Sequence, residues 1–403
     1  MRLCAIGLRG IPDVMGGIET HCENLYPRLA KFDEDIQITV IGRSGYARPG
    51  RFGNVRIVNL WAPRMKALES LIHTPLALLY ARLFLHPHVV HIHAVGPGFF
   101  TPMARLLGFR VLATHHAADY DRPKWGRFGR WFLKTGERMI ARFANDVVCV
   151  SSAIEAGLAA EHPTRKQHYT TIRNGAPVQS AAAPADGTDI LDKLGVKAGG
   201  FVLAVGRLDA TKGFHDLLRA FKIAAPAGLK LVIAGGGPRG DAFAAELKTH
   251  GSSSVIFAGA LPAAELRVLY SNATLFVHPS YLEGFPLVVL EAIASDAPVL
   301  VSSIPPHLEL GLDPSNYFDV GAIEQLAARL SQGGFDRVRP ALRAGIMADG
   351  SWDSIAERHH AILIRRDRMR PGRRAQAKAP LKLLEQRSPA SQPAHRTSPR
   401  TVL

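Results

Sequence analysis

The sequence predicts an α/β protein with two doubly wound parallel sheets and a ligand cleft between them. Its 403 residues are enough for two domains of ordinary size. Short apolar segments alternate with helical segments in each half of the chain, and this alternation is typical of open parallel sheets. Between the halves lies QSAAAPADGTD (179–189), which has little apolar material to bury.

The first predicted domain covers 1–175. Its apolar runs are typical of buried parallel strands and cover 2–8, 37–43, 89–94, 110–116 and 146–152. A helix is expected from about Ile18, because Cys22, Leu25 and Leu29 fall on one helical face. Such sheets place their ligands beyond the carboxyl ends of the strands.

A linker is predicted over 176–198, and a second Rossmann-like domain over 199–350. The strands of this second domain are predicted at 201–208, 229–237, 255–261, 274–280 and 298–303. Residues 351–366 are expected to form a helix that packs back toward the first domain. Residues 367–403 are rich in proline, serine, glutamine and arginine and are expected to be disordered.

The charge of the chain is concentrated in this tail. The net charge is +15, and the segment from Arg365 to the end contributes +9 of it. A basic tail can bind anionic lipid or bind nothing, and we expect no nucleic acid partner.

The three cysteines are too few, and odd in number, for a disulfide framework, which favours buried thiols in a reducing compartment. The N-terminal apolar run is too short for a signal peptide. The most apolar segment, 71–90, is interrupted by histidines, a proline and an arginine, and we expect a core helix there instead of a membrane span. These features predict a cytoplasmic protein.

The segment EGFPLVVLE (283–291) is the main functional signal. It follows a predicted strand and should enter a helix at about Leu287, so Glu283 precedes the helix and Glu291 lies in its first two turns. Free N–H groups at a helix start favour phosphate, and carboxylates there accept hydrogen bonds from hydroxyls. The pattern suits a ligand that carries both phosphate and sugar hydroxyls.

Two cations of the second half are candidates for binding a diphosphate. Arg207 follows a strand and Lys212 precedes the next helix, at the cleft-facing end of the second sheet. Gly235, Gly237 and Gly240 form a G-x-G-x-x-G pattern, which fits either close approach to a nucleotide or a plain turn.

The first half offers its own candidates. Gly16 and Gly17 precede a helix and allow backbone N–H groups to approach a ligand, although a tight turn explains them as well. His116 and Asp119 follow the strand at 110–116 and are expected to face the cleft, in a chemical or a structural role. The acidic pairs at 33/35 and 119/121 lack the layout of a metal site, and we predict no metal.

Residues 122–142 contain seven Lys/Arg and one acid, with aromatic residues interleaved. The sequence places the cations on one helical side and the aromatic residues on others, a pattern typical of helices that lie on anionic membranes. A surface helix packed on its own sheet is the alternative.

Together these residues resemble the retaining glycosyltransferases of the GT-B fold, in the large family-four group that includes bacterial polysaccharide-assembly enzymes. The resemblance covers about 1–365. It implies that the first domain lies on the acceptor side of the cleft and that the second domain binds a nucleotide sugar. EGFPLVVLE is similar to the group's signature of two glutamates separated by seven residues, and GRLDATKGF (206–214) to its phosphate-binding strand end. GLRGIPDVMGGIET (7–20) is similar to the opening of exopolysaccharide and O-antigen members, and IRNGAP (172–177) to the interdomain turn.

The resemblance implies roles for individual residues. Glu283 would contact the transferred sugar and Glu291 the ribose of a nucleotide sugar, while Arg207 and Lys212 would neutralise the leaving diphosphate. The implied donor-binding set also includes Gly16, Gly17, Gly237, Gly284, Phe285, Pro286 and Leu287. His116 would act in the chemistry, and Asp119 would contact the acceptor or the sugar. Ala117 and Ser295-Asp296 depart from the group's usual residues.

The implied reaction is metal-independent transfer of a hexose-type sugar to a lipid-linked saccharide, with retention, in cell-surface polysaccharide synthesis. The implied location is the inner face of the plasma membrane, which residues 122–142 and the tail would contact. Two other functions remain open from the sequence: a nucleotide-sugar epimerase on the same fold, and a non-catalytic membrane-surface binding module.

Overall fold

A computed structural model describes residues 1–63, 65–123, 125–176, 188–237 and 241–365. The predicted tail at 367–403, the predicted linker between 177 and 187, and Gly240 lie outside the described residues.

Eight strands form the first sheet, in the order β3-β4-β2-β1-β5-β6-β7-β8. Their bounds are β1 Arg2–Ile6, β2 Gln37–Arg43, β3 Gly50–Phe52, β4 Val55–Leu60, β5 Val89–His93, β6 Arg110–His115, β7 Asp146–Cys149 and β8 Tyr169–Thr171. All neighbours are parallel except β3 and β4, which are antiparallel. The five predicted strands of this half are confirmed. The three that were not predicted include two of only three residues, too short to show an apolar pattern.

Six parallel strands form the second sheet, in the order β11-β10-β9-β12-β13-β14. Their bounds are β9 Phe201–Val205, β10 Lys230–Ala234, β11 Val255–Gly259, β12 Leu275–His278, β13 Val299–Ser302 and β14 Tyr317–Phe318. The five predicted strands of this half are also confirmed, each ending one to three residues earlier than expected.

Helices connect the strands of both sheets. Those of the first half are α1 Gly17–Phe32, α2 Lys66–Tyr80, α3 Val95–Gly98, α4 Thr101–Leu106, α5 Arg127–Phe143 and α6 Ser152–Glu161, and a π-helical turn, Ala81–Leu85, continues α2. Those that follow are α7 Thr188–Leu194, α8 Phe214–Ala224, α9 Ala242–Lys248, α10 Ala263–Asn272, α11 Leu287–Ala294, α12 Pro305–Leu308, α13 Ile323–Gln332, α14 Pro340–Asp349 and α15 Trp352–Arg365.

Helices α7 and α15 bear on the predicted domain boundaries. Helix α7 lies within the predicted linker, yet its Ile190 and Leu191 are buried in the core of the second sheet. Helix α15 packs on the end of α1, where the rings of His360 and Phe32 lie 5.1 Å apart and His360 Nε2 lies 2.7 Å from Oδ2 of Asp33, the residue that follows α1. The last helix therefore returns to the first sheet.

The expectation of a core helix at 71–90 is confirmed for one face of the helix only. Of the residues in Leu68–Leu85, 28% are buried, and by length and composition alone this is the one helix in the described ranges that is long and apolar enough to span a membrane. Ala77 and Leu78 pack into the core, whereas Leu76 and Leu79 are exposed. Sequence periodicity missed this because apolar residues occupy both sides of the helix.

Helix α5 also differs from its prediction. Phe128 and Trp131 were expected to point away from the cations, but both are exposed on the same side as Arg127, Arg130 and Lys134. Phe132 does point away from the cations, as predicted, and it forms the inner side of α5 together with Leu133 and Ile140, buried against the first sheet. Cys4 and Cys149 are buried and free, as predicted, and Cys22 is buried and free as well.

Candidate functional site

The predicted glutamate signature bridges the two sheets. Strand β12 ends at His278 and α11 begins at Leu287, as predicted, with Pro286 at the helix cap and Phe285 buried. A Cβ at Gly284 would lie only 1.5 Å from the carbonyl oxygen of His116, at the end of β6. Only glycine fits at so short a distance. The loop between β12 and α11, which carries Glu283 and Gly284, therefore packs directly against the first half of the protein.

Glu283 is held as a carboxylate by two basic neighbours. Its Oε1 accepts a hydrogen bond from His278 Nε2 at 2.7 Å and forms an ion pair with Lys212. Burial favours a raised pKa for Glu283, but Lys212 and His278 outweigh it and hold that pKa well below its usual value. With Oε1 engaged, Oε2 is the atom left to accept a hydrogen bond from a ligand hydroxyl.

The two predicted phosphate cations differ in their surroundings. Lys212 is 12% exposed and pairs with Glu283, whereas the Arg207 side chain is 51% exposed, with its guanidinium 3.5 Å from Asp209. Asp209 also caps the 3₁₀ turn Ala210–Lys212 by accepting from the Thr211 N–H. Of the pair, Arg207 is therefore the cation more accessible to an anion from the cleft.

Glu291, in the second turn of α11, has a different environment. Its Oε2 accepts a hydrogen bond of 3.0 Å from the hydroxyl of Tyr270 on α10. Burial raises the pKa of Glu291 to about 7, and the Tyr270 bond offsets part of that rise. Sequence reasoning missed Tyr270, because nothing in its spacing from Glu291 marks the contact between two neighbouring helices.

Gly16 and Gly17 form the entrance to α1. A Cβ at Gly17 would meet no atom within 4 Å, so the first turn of the helix is open to a ligand. A Cβ at Gly16 would lie 2.2 Å from both Arg9 and Glu19, which form a 2.9 Å ion pair. The sequence analysis did not predict this ion pair, which packs against the loop at Gly16.

His116 is the end of a buried hydrogen-bonded chain. Its Nε2 lies 2.9 Å from His93 Nδ1, and His93 Nε2 is hydrogen-bonded to the Tyr26 hydroxyl. Tyr26 also contacts His91 Nδ1 at 3.0 Å, and His91 Nε2 contacts the Thr114 hydroxyl at 2.7 Å. Burial and the neighbouring imidazoles lower the pKa of all three histidines, which keeps them neutral. The proton positions along the chain are therefore coupled.

Asp119 is paired with Arg122, whose Nε lies 2.7 Å from Asp119 Oδ1. The same guanidinium reaches Asp209 across the cleft at 3.2 Å. Arg122 precedes α5 and does not belong to its basic face, contrary to the expected range 122–142. It ties a turn of the first half to the turn that carries Lys212.

Gly237 is explained by packing. A Cβ at Gly237 would lie 2.5 Å from the Cβ of Ala244, at the start of α9. This contact requires glycine at position 237 whether or not a ligand binds, so Gly237 by itself does not indicate a nucleotide site.

A cavity of about 250 Å³ opens beside Glu283, between the two halves. Its wall on the first half includes Glu137, whose Oε1 lies 2.6 Å from His115 Nε2 and accepts a 3.2 Å bond from the Tyr120 hydroxyl. Tyr281 forms part of the opposite wall. Carboxylates and tyrosine hydroxyls suit a ligand rich in hydroxyl groups.

Two groups of described side chains have the spacing of metal ligands. They are His21 with His93 and His116, and His278 with Glu283 and His307. In the first group His93 and His116 are hydrogen-bonded to each other, and in the second Glu283 is paired with Lys212. The close spacing in the first group is therefore explained in part by a hydrogen bond, and in the second group one candidate ligand is already engaged in an ion pair.

Comparison with known proteins identifies the protein class. The model described as Glycosyltransferase Family 4 matches residues 15–180, and the model described as Glycosyl transferases group 1 matches residues 189–332. The chain is a glycosyltransferase of the GT-B fold. The glutamate signature lies within the second matched range and His116 within the first.

Relatives of this glycosyltransferase have different products. It is 27% identical over 386 residues to the α-maltose-1-phosphate synthase of Mycolicibacterium smegmatis, covering 89% of this chain and 97% of the relative. It is 26% identical over 179 residues to O-antigen chain mannosyltransferase B of Escherichia coli, covering 43% of this chain and 44% of that protein.

Solved structures share the fold. The sucrose-phosphate synthase of Thermosynechococcus elongatus superimposes with a TM-score of 0.74 at 21% identity, over 92% of this chain and 100% of that chain. Anabaena HepE, solved with UDP and glucose, gives a TM-score of 0.70 at 17% identity, over 91% of this chain and 100% of its own.

Proposed function

We propose that this glycosyltransferase moves a hexose-type sugar from a nucleotide sugar to a saccharide acceptor, with retention of anomeric configuration and without a metal ion. The observation that carries the proposal is the position of Glu283, held ionised by Lys212 and His278. A carboxylate with one free oxygen at the cleft is suited to bind a sugar hydroxyl. The UDP complexes of fold neighbours support a nucleotide sugar as the donor.

The departing diphosphate needs positive charge. Arg207 is the accessible cation, and the open first turn of α1 at Gly17 offers backbone N–H groups from the opposite wall. Preorganised groups of this kind are each worth about 10²–10³ in rate, which removes the need for a metal. Lys212 supports the charge of Glu283 and adds to the positive field at the reacting centre.

The proposed chemical step follows from this arrangement. The acceptor hydroxyl attacks the anomeric carbon from the face that the diphosphate leaves. The new C–O bond forms as the bond between the anomeric carbon and the diphosphate oxygen breaks. The proton of the hydroxyl passes to that diphosphate oxygen, so no separate base is required.

The acceptor is proposed to be a lipid-linked saccharide in cell-surface polysaccharide synthesis, with the enzyme at the cytoplasmic face of the membrane. Support comes from the exposed basic face of α5 and from the match to an O-antigen mannosyltransferase. A soluble acceptor is the second candidate, favoured by the similarity to α-maltose-1-phosphate synthase over 89% of the chain.

One assay separates the candidates. The purified chain is incubated with a panel of nucleotide sugars and either extracted membrane lipids or soluble sugars and sugar phosphates. Label in the lipid fraction supports the first acceptor, and label in a soluble product supports the second. NMR of the product reports the anomeric configuration, and inversion would exclude retention. Full activity in EDTA is expected, and loss that a divalent ion restores would overturn metal independence. An epimer formed from the donor alone would indicate the epimerase instead.

A further inference from the structure

An apolar stripe runs along the outer face of α2 and the π-helical turn after it. Its residues are Ile72, Leu76, Leu79 and Leu83, with exposed fractions of 38%, 39%, 44% and 64%. Their spacing of four, three and four residues places them on one side of the helix. Phe84 follows at 66% exposure. Exposed apolar patches of this kind mark interaction surfaces.

The orientation of α2 is set by its other face. Ala77, Leu78 and Ala81 are fully buried in the core of the first sheet. Turning the stripe inward would expose these three side chains and open the core. The stripe is therefore a fixed part of the surface.

Helix α5 lies in the same layer as α2. A Cβ at Gly96, in α3, would lie 3.4 Å from Leu133 of α5 and 3.8 Å from Ser70 of α2, so both helices flank α3. Because both also pack on one core cluster of the first sheet, their outer faces point away from the same side of the sheet. The outer face of α5 carries Arg127, Arg130, Lys134, Arg138 and Arg142, together with Phe128 and Trp131.

The acids of these two helices do not offset this charge. Glu69 is the one acid of α2, and it pairs with Arg43 at 2.8 Å. Glu137 is the one acid of α5, and it is buried against His115. Asp121, in the turn before α5, is a neighbouring acid that interacts with Arg130 and Lys134. The outer surface of the pair therefore combines apolar side chains with a net positive charge.

We propose that α2 and α5 together form a membrane-binding surface for anionic phospholipid. The α2 stripe and Phe84 enter the acyl boundary, Phe128 and Trp131 lie at the level of the headgroups, and the cations of α5 bind lipid phosphates. A second copy of the chain is a poorer occupant, since pairing this face with itself would bring like charges together. The inference rests on the proposed membrane location and assigns it to two specific helices.

Vesicle binding by the full chain tests the proposal. Wild-type protein should co-sediment with vesicles of phosphatidylglycerol and phosphatidylcholine far better than with phosphatidylcholine alone. The double variant L79S/L83S should lose at least tenfold in partition at every salt concentration. R130Q/K134Q should instead weaken vesicle binding mainly at low salt. At high salt, screening already removes the attraction between these two cations and the lipid phosphates. Ile223→Ser, an exposed apolar position on α8, is the matched control and should bind like wild type.

Each outcome bears on the proposal. Unchanged vesicle binding by L79S/L83S would overturn it, and so would a wild-type dimer that this variant dissociates in analytical ultracentrifugation. Transfer to a soluble acceptor is measured on the same samples and should be unaffected by the substitutions. If wild-type protein binds vesicles through α2 but transfers no sugar, the proposed function fails while the surface assignment stands.

Discussion

Gly284, in the second half of the chain, lies directly against the main-chain carbonyl of His116 in the first half. A Cβ at position 284 would lie 1.5 Å from that carbonyl oxygen, which leaves no room for a side chain. The loop that carries Glu283 and the strand end that carries His116 are thereby held at a fixed distance. Two chemical groups from different sheets meet because one residue between them has no side chain.

Gly284→Ala should therefore separate the two walls of the cleft. Displacement of about 1 Å can cost about 100-fold in rate, so kcat/KM should fall by at least that factor. Gly345→Ala is the control, because a Cβ there meets nothing within 4 Å in α14. Near-wild-type turnover by Gly284→Ala would show that the contact does not position the site.

Removing Lys212 should change the ionisation of Glu283. In the wild type Lys212 helps to hold the pKa of Glu283 well below its usual value against burial. In Lys212→Met that pKa should rise, so the Glu283 carboxylate protonates as pH falls and activity recovers as pH rises. Lys222→Met, an exposed cation on α8, should leave the pH profile unchanged.

Arg207→Ala should reduce turnover without this change in the pH profile. Arg207 is proposed to stabilise the leaving diphosphate, so the expected loss is about 10²–10³ in kcat. Its thermal unfolding should match the wild type, since the side chain is half exposed. If Arg207→Ala and Lys212→Met both transfer sugar at wild-type rates, the assignment of these two cations is wrong.

The raised pKa of Glu291 predicts pH-dependent binding of the nucleotide. Glu291 is proposed to bind the ribose of the nucleotide. Below about pH 7 its carboxyl group is protonated, and above it the carboxylate can accept hydrogen bonds from both ribose hydroxyls. Affinity for UDP, measured by calorimetry, should therefore increase as pH rises through 7. Glu291→Gln should bind weakly at all pH values, with no such increase.

The same group should affect stability with the opposite sign. Between the usual pKa of glutamate and about 7, the folded protein keeps a proton that the unfolded chain has lost. The free energy of unfolding should fall as pH rises through this window, by at most about 1.4 kcal/mol per pH unit from this group. Glu291→Gln should remove that contribution, whereas Glu246→Gln, at an exposed position of α9, should not.

Tyr26→Phe should affect the reaction through His116. The Tyr26 hydroxyl joins His91 to His93, and His93 bonds to His116, so its loss uncouples the proton on His116 from the chain. We expect a lower kcat with little change in KM, and altered ¹⁵N shifts of the His116 ring. Tyr169→Phe is the matched control, since it also removes one hydroxyl from a buried tyrosine. Identical kinetics in the two variants would show that the chain is only structural.

Many features were predictable because they are local. The ten predicted strands appear as apolar runs, and the start of α11 at Leu287 follows from the glycine and proline before it. The two glutamates of the signature are likewise separated by a short, fixed length of chain. Contacts between distant segments were not predictable in this way. Tyr270 reaches Glu291 from another helix, and Arg122 joins two turns that are 87 residues apart in sequence.

The sequence alone determined the fold class, the place where the glutamate signature enters its helix, and the presence of a basic aromatic helix. Each of these follows from short-range periodicity and turn chemistry, which act through neighbouring residues. Only the tertiary structure decided that Lys212 pairs with Glu283 and that the stripe on α2 faces outward. The physical reason is that ion pairing and burial depend on which distant elements pack together, and the local pattern does not contain that information.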